Sequence, residues 1–375
     1  MQRRSEIGLD RRAFIRLAGG GAIGLVVLPL VGCESNSVEP ITAGERVTIL
    51  TPVEDFYYKN GAEISISNWS MPVIPREEWG LEITGLVNSP FTLRYADLEG
   101  LASDQVELLK TMRCVIDSNE VRGLIGTAVW SGIPLRVFLD QAGIDLGATR
   151  RLRFFGADGF ANNIPIDRIY GQNDPSLVEP LLVTAMNGEP LPARHGAPVR
   201  LIIHETFGYK NVKWVTKVEA TSSDEPFGTY QNAGFVDDGV MRVISRTTNP
   251  LLNSTVPAGD VLVSGFAVSG RAGITSVEVS VNGGEWLPAD LVSSAGVVAS
   301  DPLIASSLQA SDPDRFLFPW RGVWRTWDFR FTATPGRHTL RIRATDEEGN
   351  VQPEVDQDGI SDGINAWATL AFDAT

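Results

Sequence analysis

An α+β domain followed by an all-β sandwich is the architecture predicted by this 375-residue sequence. Two observations carry the prediction. Up to about residue 225, short strand-like runs mix with short helical patterns and long connections. From about Gly259 onward, apolar and polar residues alternate with period two, with turn signals at Asn282–Gly284 and Glu348–Asn350.

The amino terminus is a targeting segment rather than structure. Asp10-Arg11-Arg12-Ala13-Phe14-Ile15-Arg16 resembles a twin-arginine signal, and a moderately apolar run from Leu17 to Val31 follows, interrupted by Gly19–Gly21. That run is too short and Gly-rich for a membrane span of about 20 apolar residues. Leu30-Val31-Gly32-Cys33 resembles a lipobox, so the expectation is export by the twin-arginine pathway and a lipid anchor at Cys33. A secretory signal cut elsewhere, with Cys33 incidental, is the alternative. The expected divisions are a signal at 1–33, a Ser/Pro/Gly/Thr-rich tether at 34–48, the α+β domain at 49–225 and the sandwich at 226–375.

Within the first domain, Phe56–Gly61 is an aromatic stretch ending in a turn, and Trp79–Gly85 alternates like a half-buried strand. Leu93–Leu98 and Pro134–Gly143 predict short helices, the second closed by glycine. Arg151–Phe155, Pro198–Ile203 and Val212–Val218 predict strands, with a turn at Gly156–Gly159. In the second domain the strands are Val261–Val268, Ser276–Asn282, Arg325–Phe331 and His338–Thr345. The Ala/Ser/Asp-rich stretch 287–320 is expected to be an ordered surface loop.

The net charge is −14, although residues 1–32 carry five arginines against Glu6 and Asp10. So acidic a body argues against nucleic-acid binding through phosphates. The chain has two cysteines. With Cys33 in the signal, Cys114 has no evident disulfide partner; it is inert, reactive or a ligand, and a small buried hydrophobe is the plain alternative.

Several stretches together resemble the sulfite-oxidase superfamily of molybdenum-pterin enzymes. Asp55-Phe56-Tyr57-Tyr58-Lys59-Asn60 is similar to its aromatic opening motif, and Cys114 followed by Trp130–Leu135 is similar to its metal-ligand loop. Ala185–Pro192, His195–Arg200 and Gly208–Trp214 resemble its pterin-binding run, in the same order and spacing. Gly273–Ser280, Arg343–Asp346 and Gln352–Pro353 resemble its immunoglobulin-like dimerisation domain. No stretch matches its cytochrome-type haem domain.

The resemblance implies an α+β molybdopterin-binding domain before an immunoglobulin-like sandwich, and a molybdenum–molybdopterin cofactor whose nucleotide state it does not specify. It implies that Cys114 is the thiolate on the metal, a soft ligand suited to a metal already held by dithiolene sulfurs. One protein ligand then suffices, in a chain with only His195, His204 and His338 as histidines. His195, Arg200 and Lys213, with the Asn211–Val212 backbone, match the phosphate and pterin contacts; Asn60 and Asp158 match pterin contacts less specifically. The plain alternative for each is a surface charge or a turn residue.

Three departures bear on substrate. The opening motif's arginine is Lys59, a point charge that cannot form a bidentate fork. The position of the active-site tyrosine is Phe160, and the histidine usual after Asn60 is Gly61. Arg113 and Arg122 are candidates to restore positive charge, unless they are surface residues. The implied activity is oxygen-atom transfer at a Cys-ligated molybdenum with the substrate, a small oxyanion or sulfoxide, unassigned; the alternatives are a reductase of sulfoxides such as methionine sulfoxide, or a sulfite dehydrogenase, and the losses at Lys59 and Phe160 predict that sulfite is a poor substrate. The implied partners are a cytochrome or quinone-linked membrane protein for electrons, and a second copy of the chain. A cofactor-free binding lipoprotein is the non-enzymatic alternative.

Overall fold

A computed structural model describes residues 48–60 and 69–375 except 120, 172, 173, 175, 357 and 358. The signal, Cys33 and Gly61 lie outside the described residues. The amino-terminal part holds strands β1 Gly80–Gly85, β2 Phe91–Arg94, β3 Val106–Arg113, β4 Ile125–Pro134, β5 Arg151–Gly156, β6 Ala161–Pro165, β7 Leu181–Met186, β8 Glu189–Pro190, β9 Arg200–Ile202 and β10 Val215–Thr221. Helices α1 Tyr95–Gly100, α2 Leu135–Ala142, α3 Asp167–Tyr170 and α4 Thr229–Asn232 connect or follow them.

These strands form two sheets. One has the order β2-β1-β10-β5-β6, with β1 parallel to β10 and the other pairs antiparallel. The other has the order β3-β4-β7-β8, with β9 also on β7. β1 alternates as expected: Leu81 and Ile83 are fully buried, while the Trp79 indole before them donates to Val215 O at 2.9 Å. α2 buries Leu135, Phe138, Leu139 and Ala142, the spacing of one helical face. Gly143 ends it at φ 65°, a left-handed cap favouring glycine. Leu93–Leu98, expected to be helical, divides between β2 and α1.

The carboxy-terminal part holds β11 Ile244–Asn249, β12 Thr255–Val256, β13 Gly259–Val268, β14 Ile274–Val281, β15 Trp286–Pro288, β16 Asp290–Leu291, β17 Arg325–Ala333, β18 Gly336–Asp346 and β19 Ala368–Ala374. They form sheets β11-β13-β17-β16 and β12-β19-β18-β14-β15. Val263, Trp327 and Phe329 from the first sheet share one core with Val279, Leu340, Ile342 and Leu370 from the second, two sheets packed face to face. Tyr230, Phe235 and Met241 instead join the core of the amino-terminal part, as do Ile244, Phe266, Val268 and Trp324 from further along the chain.

The stretch 287–320 is not a surface loop. After β15 and β16 it forms α5 Ser294–Ser300, α6 Pro302–Ser306 and α7 Leu308–Ser311. Val297 and Ile304 are buried in a core with Leu108, Leu109 and Trp130. The Gln309 amide completes this seam: its nitrogen donates to Leu109 O at 2.7 Å, and its oxygen accepts from Leu109 N at 3.1 Å. Spacing of Val297, Ile304 and Gln309 among small residues hides the pattern, because each helix buries only one side chain.

Candidate cofactor and active site

Cys114 sits where β3 ends and the chain turns toward β4. Its N–H donates to Leu124 O at 2.8 Å, closing the loop, and its carbonyl accepts from Asp117 N at 3.0 Å. The thiol is not in a disulfide. It faces a cleft of about 630 Å³, open mouth included, lined also by Tyr57, Lys59, Asp158, Phe160, His195, Arg200, Gly208, Tyr209, Asn211, Lys213 and Tyr230.

The segment 48–60 reaches this cleft because Thr51 N–H bonds Thr127 O at 2.8 Å on β4. The Phe56 ring then sits edge-on to Trp130 and His195. His195 closes a tight turn before Gly196, whose φ is 108°. A Cβ on Gly196 would lie 2.9 Å from Lys213 Cβ, so glycine there lets the lysine stem pass beside the turn. Lys213 Nζ donates to Asn60 Oδ1 and to Arg194 O. Arg200 opens β9, donates to His195 O at 2.9 Å and lies 4.9 Å from the Trp130 ring centre.

The electrostatics are those of a buried cationic wall. Burial, reinforced by Arg200, Lys213 and Arg194, lowers the His195 pKa to about 3, so the ring is neutral at physiological pH. Burial lowers Arg200 to about 10. It raises the Cys114 thiol, which Lys59 partly offsets. Arg200 Nε and the Tyr57 hydroxyl are buried without a hydrogen-bond partner among the described residues. Converging basic groups with orphaned donors fit an anionic, polar cofactor such as a phosphorylated pterin, because such groups are costly to bury unmatched.

Most residues expected at the site therefore meet in one cleft: Cys114, Lys59, Phe160, Asp158, His195, Arg200, Asn211 and Lys213. Asn60 and Val212 do not line it. Asn60 stands behind Lys213, and Val212 is fully buried with its carbonyl accepting from Leu201 N at 2.8 Å. The Asn211 side chain is committed to Ile203 N and Phe207 O, so it braces the turn. Asp158 Oδ1 accepts from Phe160 N at 3.1 Å.

Neither arginine suggested as substitute charge lines the cleft. Arg113 is fully buried behind the Cys114 loop, donating to Asp117 O at 2.8 Å and to Ile364 O. Arg122 donates to Asn119 O at 2.9 Å and reaches Thr369 O at 3.5 Å. The wall that sequence reasoning missed is aromatic: Tyr209 and Tyr230 stack at 4.9 Å, and Phe160 meets Tyr230 edge-on at 6.0 Å. Tyr230 comes from α4 and carries no sequence signal; Tyr57 was visible within the opening motif, but without a role.

The family described as "Oxidoreductase molybdopterin binding domain" matches residues 68–229, and "Mo-co oxidoreductase dimerisation domain" matches residues 239–369. Mitochondrial sulfite oxidase of Homo sapiens is 27% identical over 361 residues, covering 85% of this chain; the chain spans 61% of that relative's length. A nitrate reductase [NAD(P)H] of Hordeum vulgare is 26% identical over 370 residues, covering 85% of this chain and 38% of the reductase. The crystal structure of the sulfane dehydrogenase SoxCD from Paracoccus pantotrophus is 20% identical, covers 96% of both chains and superposes with a TM-score of 0.64, a likeness of fold. With both halves matched in order, the chain belongs to the sulfite-oxidase superfamily of molybdopterin-dependent oxidoreductases.

Proposed function

We propose that the protein is an exported, lipid-anchored oxidoreductase that moves an oxygen atom between water and a small substrate at a molybdenum held by Cys114. The observation that supports this reading is the cleft itself, in which Cys114 faces the same space as His195, Arg200 and Lys213. The bound cofactor would supply the two-electron redox couple and the oxygen-transfer chemistry. Burial raises the isolated thiol's pKa, and Cys114 would serve as a thiolate ligand once a bound metal cation took the proton's place. Arg200 and Lys213 would hold the pterin's phosphate, with neutral His195 lining the same cleft. Asp158 and Asn211 brace turns that border the cleft where the pterin would bind.

Lys59 brings a single positive charge near Cys114, in a cleft also lined by the uncharged rings of Phe160, Tyr209 and Tyr230. That pairing favours a small neutral oxide over a dianion. For a sulfoxide, the S–O bond breaks as two electrons and two protons enter, leaving sulfide and water. Sulfite dehydrogenation is the second reading, favoured by the Lys59 charge; there water supplies the oxygen, and two electrons and two protons leave. Electrons pass to or from a cytochrome or a quinone-linked membrane protein, and the second domain joins two copies of the chain.

The test is metal analysis with pterin fluorescence on protein made with its own signal. About one molybdenum per chain is expected. Cys114→Ser should abolish turnover, and full activity in that variant would refute the ligand assignment. Arg200→Ala should weaken cofactor retention, since a charge-assisted bond contributes about 1.5–3 kcal/mol; unchanged occupancy would remove Arg200 from the cofactor site.

A further inference from the structure

We propose that Arg194 is a positioning residue: it latches the strap 53–60 onto the cofactor turn and so slows escape of the bound cofactor. This rests on the reading of the cleft as a cofactor site. The strap supplies Tyr57, Tyr58 and Lys59 to the cleft wall, so a molecule filling the cleft is bounded on that side by this segment. Just upstream the chain is fixed by other elements: Trp324 Nε1 donates to Ile49 O at 2.9 Å, and Asn187 Nδ2 donates to Thr51 O at 2.9 Å.

From Val53 onward the attachments converge on the turn 193–196 and Lys213. Arg194 Nη2 donates to Val53 O at 3.1 Å and to Glu54 O at 2.9 Å, and its guanidinium carbon lies 5.6 Å from the centre of the Tyr58 ring. Among the described residues, the other polar side-chain contact to these two carbonyls is His195 Nε2, at a long 3.4 Å from Val53 O. At the far end of the strap Lys213 Nζ holds Asn60 Oδ1, and the same ammonium donates to Arg194 O at 3.0 Å. Phe56 and Tyr57 dock by packing instead. Phe56 meets Trp130 edge-on at 5.6 Å, and the Tyr57 oxygen lies against Gly208, where a Cβ would come within 2.6 Å. Those contacts fix two rings but leave the backbone on either side to Arg194 and Lys213. A charged donor bonds a carbonyl more strongly than a neutral one, and one donor shared by two successive carbonyls fixes the direction of the chain between them. Because the Arg194 side chain holds Glu54 while its carbonyl holds Lys213, the strap and the phosphate-binding corner move as one unit.

The experiment has two arms. In the first, molybdenum-loaded wild type, Arg194→Met and Arg194→Lys are diluted, and the molybdenum and pterin retained by the protein are followed over time. Escape should be about tenfold faster from Arg194→Met, the effect of losing one charge-assisted bond, with Arg194→Lys between the two because it keeps a cationic donor. The second arm needs no cofactor: hydrogen exchange is compared between the cofactor-free wild type and the cofactor-free Arg194→Met chain. Peptides covering 53–60 should exchange faster in the variant, while those from β3 and β4 keep wild-type rates. Escape at the wild-type rate would overturn the proposal, and so would unaltered exchange over 53–60. Faster exchange throughout the chain would overturn it too, because it would report general destabilisation rather than a latch. A wild type that binds neither molybdenum nor pterin would overturn the cofactor reading and the role in escape together, and the exchange arm would then decide separately whether Arg194 fixes the strap.

Discussion

Asp117→Asn should destabilise the protein by about 3–5 kcal/mol, the usual effect of removing one partner from a buried ion pair. Asp117 is 1% exposed and is flanked by Arg113, at 3.5 Å, and by Arg246 from β11, at 3.3 Å. At an effective dielectric of about 20, each such attraction amounts to roughly 4–5 kcal/mol. Recovering the carboxylate's solvation offsets several kcal/mol of that sum. The remaining arginines then face each other without their counter-ion, a repulsion already visible in Arg113, whose pKa is lowered to about 10 by burial and by Arg246. The loss should fall at the low end of the range, because the contacts to Asp117 Oδ2 are ion-pair distances without hydrogen-bond alignment. Both guanidiniums also keep their bonds to Asp117 O, at 2.8 and 3.2 Å. The assay is equilibrium urea unfolding of the cofactor-free chain, followed by tryptophan fluorescence. Adding Arg246→Met should recover part of the loss, with a coupling energy of about 1–3 kcal/mol. An Asp117→Asn variant within about 1 kcal/mol of wild type, with additive effects, would refute the clamp. Because Asp117 N bonds Cys114 O, the clamp is also the route by which the second domain holds the Cys114 loop in place.

Acid should destabilise the cofactor-free protein early. Burial and neighbouring cations lower His195 to about 3 and His204 well below its usual value, so the unfolded chain takes up protons that the folded chain refuses. Stability fully present above pH 6.5 is then lost as pH falls toward 3, by about 2 kcal/mol from His195 at pH 5; His204→Gln should flatten the fall measured by denaturant midpoints at pH 7.5 and 5.5, and an unchanged slope would refute the assignment. Arg11→Lys with Arg12→Lys should leave precursor in the cytoplasm, and Cys33→Ser should release the protein from the membrane; normal export of the double-lysine protein with the Sec route blocked would refute the twin-arginine reading.

The sequence alone determined what depends on local pattern and ordered motifs. Period-two runs located β13, β14, β17 and β18, and the motifs of the resemblance singled out Cys114, His195, Arg200 and Lys213, which line one cleft. These are legible because strand alternation and ordered motifs each put particular residue types at particular spacings. β3 and β4, which carry the Cys114 loop, were not legible: both are buried on the two faces, so alternation disappears. The three short helices after β16 were missed because their stability comes from docking against Leu109 and Trp130, not from their own periodicity. Only the tertiary structure decided what long-range packing decides. It turned Arg113 away from the cleft and onto Asp117, carried Arg246 across from the second domain to the same carboxylate, and swung Tyr230 from α4 against Tyr209. Each of these contacts joins residues with no local pattern between them, and the free energy that selects them, burial of charge with its counter-ion and of ring against ring, exists only once both segments have left water.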